Sequence, residues 1–276
     1  MDGRETLLPI FKKEDSRLRR IPLWIVLPLV VPVALWAQNK DEVEANPARP
    51  TVSTPATLTP VGYLQFETGV LVAEKSPEFA NQTSFNEVIK FAPLKRLQFI
   101  LISEPWAFTD TGPQNSRDAG DVLAGLQAML IDGGEHKPTV SVSYFRRVYS
   151  GTAPDIDIGS NRQSAIFLLS ANLAGFHIDN NYIFNEQIED AVHRGQFGQT
   201  LSISHPLPHK FQLGGEIWHF IQPFLRSNTT GLLFAPSWSM KPNLVFDAGF
   251  NRGLNSTSTR WEVFAGFTYL LPKKLL

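Results

Sequence analysis

Short runs in which apolar and polar residues alternate make up most of the chain after residue 60. In the last run, residues 261–271, apolar or aromatic residues occupy the odd positions, while Glu262, Gly266 and Thr268 occupy even positions and Phe264 is an exception. A period of two is that of a β-strand with two different faces. A strand of about ten residues with aromatic residues near both ends of its apolar face is typical of a transmembrane β-barrel.

The chain contains about twelve such runs, and the segments between them alternate in length. The runs are residues 62–73, 85–91, 97–103, 121–130, 139–149, 165–173, 177–185, 196–204, 211–221, 232–240, 244–253 and 261–271. Short connections are expected at 92–96, 132–138, 173–176, 205–210 and 241–243. Longer ones are expected at 74–84, 105–120, 150–164, 186–195, 222–230 and 255–260.

Short turns at one end and long loops at the other are typical of outer-membrane barrels. The pattern therefore predicts an all-β fold, a transmembrane antiparallel up-and-down β-barrel of about 12 strands. Alternation alone also fits a soluble β-sandwich, so a soluble periplasmic β-protein stays open as an alternative.

The first 60 residues differ from the rest. Several basic side chains precede an almost uncharged run from Ile21 to Trp36 that three prolines interrupt. This run is shorter than the roughly 20 residues that a membrane-spanning helix needs. It is typical of a secretory signal with a small residue, Ala37, at the cleavage point. We predict a cleaved signal peptide at 1–37, a Pro/Thr-rich periplasmic leader at 38–60 and an outer-membrane β-barrel at 61–276. Because the basic segment is long, an uncleaved anchor or a start downstream of Met1 stays open as an alternative.

The leader has four prolines between residues 38 and 60, at positions 47, 50, 55 and 60. Proline at this density favours an extended chain over a helix. Two interpretations stay open: an arm in the periplasm, or a lead-in that partly enters the barrel.

Composition excludes several classes of protein. The chain has 25 basic and 26 acidic residues, of which 6 and 4 lie in residues 1–37, so 19 and 22 remain with a net charge of −3. That balance does not favour nucleic acid as a partner. Cysteine is absent, which excludes disulfides and thiol chemistry.

The strand register predicts which polar side chains face the inside of the barrel. The lumen-facing candidates are Gln65, Glu67, Lys90, Glu104, Asp121, Gln127, Arg147, Asp179, Glu216, Asp247 and Asn251. They could line a pore or a binding lumen, or they could be polar filler. Glu87 and Arg146 fall on the lipid-facing side, where charge is costly, so we expect them near a rim or at a shift in register.

Catalytic and metal-binding patterns are weak. The chain has no Gly-x-Ser-x-Gly, His-Glu-x-x-His or phosphate-binding glycine motif. Asp155 and Asp157 have carboxylates of the kind that bind calcium, but a solvated loop is the simpler interpretation. His205 and His209 are separated by two prolines and suggest a turn. We therefore predict no catalytic residues, no metal site and no cofactor, and hence no enzyme.

Three segments resemble one family, the outer-membrane barrels named after the meta-pathway of phenol degradation and described as transporters. They are residues 62–69 (GYLQFETG), 120–127 (GDVLAGLQ) and 242–254 (PNLVFDAGFNRGL). The resemblance implies a barrel in the outer membrane that passes small aromatic or other apolar compounds. It carries over no catalytic residues.

The end of the chain is similar to a second known pattern. Gly266, Tyr269 and Leu271 resemble the C-terminal signal that the bacterial barrel-assembly machinery recognises. Leucine stands where phenylalanine is usual, and five residues follow it. The resemblance implies the assembly machinery as a partner, together with outer-membrane lipid.

The sequence as a whole predicts an outer-membrane channel or transporter for small solutes, aromatic or apolar ones included. The alternative is a structural or lipid-face enzyme barrel without transport activity.

Overall fold

The structure is a computed structural model that describes residues 43–134, 137–158, 161–189, 192–221 and 228–276. Almost all of the regular structure is β-strand. The strands are β1 Leu64–Glu74, β2 Asn81–Leu94, β3 Leu97–Asp110, β4 Asn115–Asp118, β5 Val122–Ile131, β6 Thr139–Tyr149, β7 Asn161–Leu173, β8 Phe176–Glu189, β9 Val192–Leu207, β10 Phe211–Ile221, β11 Thr229–Lys241, β12 Leu244–Gly253 and β13 Trp261–Leu270. A single 3₁₀ turn, Pro208–Lys210, stands between β9 and β10 within these residues.

Twelve of these strands form a closed antiparallel barrel, as predicted. Each long strand pairs with the next, and β1 pairs with both β2 and β13, so the sheet closes on itself. Gln65 lies opposite Leu270 in the closing pair. The short β4 pairs with the end of β3. Closure leaves no strand edge among these twelve with unpaired backbone groups, which a sheet in lipid requires.

Alternation along each strand separates an apolar outside from a polar inside. Phe99 and Leu126 are 49% and 43% exposed, whereas their chain neighbours Gln98 and Gln127 are 2% and 0% exposed. Large apolar side chains are exposed in this way around the outer wall. A soluble protein rarely exposes so much continuous apolar surface, whereas a transmembrane barrel needs it to face lipid.

Aromatic side chains form rows across neighbouring strands on the outer face. At the end with the short turns, Phe211, Trp238 and Phe246 follow one another with ring centroids 6.0 and 6.2 Å apart. Toward the long loops, Phe250 lies 6.2 Å from Trp261. Rows of this kind are typical of the two interfaces of a membrane.

The twelve predicted runs lie in the twelve barrel strands, but the strands are longer than predicted, so several predicted connections are wrong in part and two of them consist mainly of strand. Residues 105–120 contain the end of β3 and all of β4, and residues 186–195 belong mainly to β8 and β9. Both stretches are polar, which suggested loops. Because the inside of this barrel is polar, a stretch of polar residues can continue a strand.

The two charged residues on the predicted lipid side lie on the outer face. Arg146 is exposed three residues before the end of β6. Glu87 lies in the middle of β2, where the pairing with β3 shifts in register. Arg146 therefore lies near a rim and Glu87 at a shift in register, as expected.

Within the described residues, no helix is long and apolar enough to cross a membrane.

Candidate functional site

The leader occupies the inside of the barrel. Its backbone begins at the short-turn end, where the Ala45 amide donates to the carbonyl of Pro242 at 2.8 Å. It leaves at the same end, where Gly62 donates to the carbonyl of Ala92. Between these points, residues 46–59 form hydrogen bonds with inward-facing side chains. Residues 43–60 thus follow the second of the two interpretations and enter the lumen, while the predicted boundary at 37/38 lies outside the described residues.

On its way in, the leader is held by side chains of β1 and β12. Gln65 accepts a hydrogen bond from the Asn46 amide at 2.9 Å and donates one to the Asn46 carbonyl at 2.7 Å. Glu67 accepts from the amides of residues 48 and 49, each at 3.1 Å, and forms an ion pair with Lys90. Arg49 itself reaches Asp247 at 3.2 Å.

Glu216 on β10 holds the middle of the leader. Its carboxylate accepts from the amides of Val52 and Ser53, both at 2.7 Å, and from the Ser53 hydroxyl at 2.6 Å. Glu216 and Ser53 are both buried. Three short donors on one carboxylate compensate the loss of water around it, since hydrogen bonds to a charged group are the stronger ones.

The part of the leader that returns to the short-turn end is bound by amide side chains of β3, β5 and β8. Asn181 accepts from the Thr54 amide at 2.6 Å and donates to its carbonyl at 3.0 Å. Gln127 donates to the carbonyl of Pro55 at 3.0 Å. Gln98 accepts from the amide of Thr59 at 2.6 Å. The irregular backbone of the leader therefore finds the partners that buried peptide groups require.

A second segment, residues 151–158 between β6 and β7, also turns into the barrel. We call it the inward loop. Gln82 donates to the carbonyl of Pro154 at 3.0 Å, and Gln196 donates to the carbonyl of Ile158 at 2.9 Å. The Thr259 amide donates to the Asp157 carboxylate at 2.6 Å. The loop thus reaches both sides of the barrel, and Asp155 and Asp157 lie inside it, partly exposed.

Burial changes the acidity of the inward loop. Loss of water, together with the carboxylates of Asp121, Glu104 and Glu78, raises the pKa of Asp155 to about 7 against the opposing charge of Arg147. Burial also raises the pKa of Asp157. At neutral pH the carboxyl group of Asp155 is therefore close to its midpoint of ionisation.

A cavity of about 260 Å³ lies between the inward loop and the leader. One wall is apolar and includes Trp218 and Phe220, whose ring centroids are 6.0 Å apart. The lining also carries carboxyl groups, those of Glu104, Asp155, Asp157 and Glu262. We call this space the upper cavity.

A chain of hydrogen bonds connects an aromatic residue of the upper cavity to two of its acidic residues. Trp218 donates through Nε1 to Asn251 at 2.9 Å, and Asn251 donates to Glu262 at 2.6 Å. Glu262 in turn shares a hydrogen bond with Asp157 of the inward loop. The chain therefore joins β10, β12 and β13 to the loop.

A second cavity of about 210 Å³ lies on the short-turn side of the leader. Its lining is polar and includes Arg49, His177, Asp179 and Ser202. His177 lies 3.2 Å from the carboxylate of Asp179. We call it the lower cavity.

The sequence-predicted lumen residues all lie on the inner face, but they do different things. Six of them hold the leader or its partners: Gln65, Glu67, Lys90, Gln127, Glu216 and Asp247. Glu104 and Asn251 line the upper cavity, and Asp179 lines the lower one. Asp121 accepts from the Gly151 amide at 2.8 Å and pairs with Arg147 at 3.0 Å, at the base of the inward loop.

Sequence reasoning missed the inward-facing aromatic residues and the cationic residue of the leader. Trp218 and Phe220 are almost fully buried inside a lumen that is otherwise mainly polar. The one available signal was the strand parity that places them beside Glu216. Arg49 carried no such signal, because a proline-rich leader has no periodic pattern. Among the described residues, no group of three or more His, Cys, Asp or Glu side chains could hold a metal ion.

A closed 12-stranded antiparallel barrel with an apolar outside and a polar, partly filled inside has the fold of outer-membrane channels. Three solved structures share it. The COG4313 outer membrane channel from Pseudomonas putida F1 is 12% identical, with a TM-score of 0.56, covering 85% of this chain and 100% of that chain. The NanC porin is 9% identical, with a TM-score of 0.54, covering 75% of this chain and 98% of that chain. The KdgM porin is 10% identical, with a TM-score of 0.50, covering 74% and 98%.

At these identities the likeness concerns the fold alone. Neither a protein-family model nor a curated protein sequence matches this chain.

Proposed function

We propose that this protein is an outer-membrane channel for small solutes whose passage is narrowed by the leader and by the inward loop. The observation that carries the proposal is a closed barrel whose polar inside keeps two cavities, one on each side of the leader. A barrel with a purely structural role has no need for such spaces.

Small apolar or aromatic solutes are the proposed cargo. The aromatic wall of the upper cavity supports this choice, since Trp218 and Phe220 offer an apolar surface inside the lumen. The resemblance to the outer-membrane barrels of the meta-pathway of phenol degradation points the same way. We include in the proposal export through a cleaved signal peptide and insertion by the barrel-assembly machinery through Gly266, Tyr269 and Leu271.

Conductance of the full chain in a planar bilayer tests the proposal. The matched variant is Glu67→Gln with Glu216→Gln, which keeps the side-chain shapes but removes the two charges that hold the leader. Hydrogen bonds to charged groups contribute about 1.5–3 kcal/mol each. The leader of the double variant should therefore be released more often, and the mean conductance should rise at least several-fold.

Glu87→Gln is the control, because it makes the same chemical change on the outer face of the wall. Its conductance should equal that of the unchanged protein. A folded barrel that conducts neither in the full chain nor in the double variant would contradict the channel and favour a barrel without transport.

A further inference from the structure

The upper cavity combines two surfaces that seldom meet in a barrel lumen. The rings of its aromatic side pack against glycines on the neighbouring strands. A Cβ atom at Gly198 would lie 2.3 Å from the Phe220 ring, and one at Gly231 would lie 2.3 Å from the Trp218 ring. The two glycines thus leave room for the rings on the wall.

The other side of the upper cavity is acidic and lacks a basic residue. Glu104 and Glu262 project from the wall, and Asp155 projects from the inward loop. Among the described residues, no lysine or arginine lines this space. Arg147, whose charge acts on Asp155, pairs with Asp121, and Arg49 of the leader pairs with Asp247.

Buried carboxylates are costly without a cation or enough hydrogen-bond donors. Glu216 shows how this lumen meets that need, with three donors from the leader. Glu262 has fewer donors: it accepts from the amide of Asn251 and shares a hydrogen bond with the carboxyl group of Asp157. An ammonium group on a solute would supply both a positive charge and donors.

We propose that the upper cavity binds a small organic cation, an ammonium group attached to an aromatic or aliphatic body. The nitrogen would lie among the carboxylates of Glu104, Asp155 and Glu262. The apolar body would lie on Trp218 and Phe220, whose ring faces also attract a cation. At about 260 Å³ the space is smaller than the roughly 300–1,000 Å³ of drug-sized sites, so it suits a compact solute such as an arylalkylamine.

This proposal rests on the proposed function, because it names the class of solute that the same lumen takes. The charge on the nitrogen is what separates it from the general expectation of apolar or aromatic cargo. A neutral aromatic alcohol would fill the same space without satisfying the carboxylates. An aromatic carboxylate would be repelled by them.

The test compares three probes of similar size on the full chain in detergent at pH 7: benzylammonium, benzyl alcohol and benzoate. Isothermal titration calorimetry gives the Kd of each. We expect benzylammonium to bind about tenfold more tightly than benzyl alcohol, since one charge-assisted hydrogen bond is worth about that factor, and benzoate to bind weakest. Equal binding of benzylammonium and benzyl alcohol, or tighter binding of benzoate, would overturn the proposal.

The matched variant is Asp155→Asn with Glu262→Gln, in which the shape is kept and two charges are lost. It should bind benzylammonium about as weakly as benzyl alcohol, while Glu87→Gln on the outer face should leave the Kd unchanged. If the double variant does not fold, the comparison of the three probes on the unchanged protein still decides.

Conductance measured on the same preparation keeps this proposal apart from the channel itself. A conducting barrel without preference for benzylammonium would overturn the solute class and leave the channel. Binding of benzylammonium by a barrel that does not conduct would support the site and contradict the channel.

Discussion

Docking of the inward loop should depend on pH, with Asp155 as the main sensor. In the docked loop, burial raises the pKa of Asp155 to about 7 from an ordinary value of 3.8. A released loop would return the carboxyl group to water and to that ordinary value. The docked state therefore binds the proton more tightly than the released state.

The sign follows from this difference. For a carboxyl group whose pKa is raised, the stabilisation is fully present below the ordinary pKa and is lost as the pH rises through the raised one. Between pH 5 and the raised pKa of about 7, the free energy of docking weakens by about 1.36 kcal/mol per pH unit. Over these two pH units the docked loop loses roughly 3 kcal/mol of stabilisation. Docking should thus be about a hundredfold weaker at pH 8 than at pH 5.

Three of the charged groups that face Asp155 raise its pKa, as burial does, and one lowers it. Asp121, Glu104 and Glu78 repel its ionised form, and Arg147 attracts it. Asp157, two residues along the loop, also has a raised pKa because of burial. Neighbouring carboxylates therefore reinforce release of the loop as the pH rises.

Single-channel recording between pH 5 and pH 8 measures the effect. The mean conductance should be higher at pH 8, with a midpoint near 7. Asp155→Asn cannot ionise and should flatten most of this dependence, whereas Asp132→Asn in an exposed turn at the other end should keep it. A pH dependence that is unchanged in Asp155→Asn, or conductance that rises toward acid, would refute the reasoning.

Three further predictions concern the barrel wall. Leu126→Arg should cost about 2–4 kcal/mol of barrel stability if this outward position lies near the bilayer midplane, as measured by unfolding in liposomes. Gly231→Val should push the Trp218 ring off the wall, because even a Cβ atom would lie 2.3 Å from it, and should shift the tryptophan fluorescence of the folded barrel. Tyr269→Ala with Leu271→Ala should leave unfolded protein in the periplasm of the expressing cell; normal amounts of heat-modifiable barrel would contradict the resemblance to the assembly signal.

The sequence by itself determined the wall of the barrel. A period of two is set locally, because successive side chains of a strand point to opposite faces, and lipid outside with a polar inside makes every strand show it. Phe99 and Gln98 illustrate how neighbouring residues then acquire opposite environments. The same period predicted which polar residues face inward, from Gln65 to Asn251.

Polarity is a poor sign of the end of a strand in this barrel. Residues 186–195 contain charged and amide side chains and were predicted as a loop. In the structure, β8 and β9 continue through most of this stretch, and Gln187 and Gln196 both donate to the carbonyl of Ile158. Their partner is more than 25 residues away along the chain for each of them.

What fills the barrel was decided only by the tertiary structure. The leader and the inward loop have no periodic pattern, and their positions depend on partners from strands far away in sequence. Ser53 is bound by Glu216, 163 residues later, and Arg49 by Asp247, 198 residues later. A local pattern carries no information on such pairs, because it is closure of the barrel that brings the buried carboxylates and the donors of the leader together.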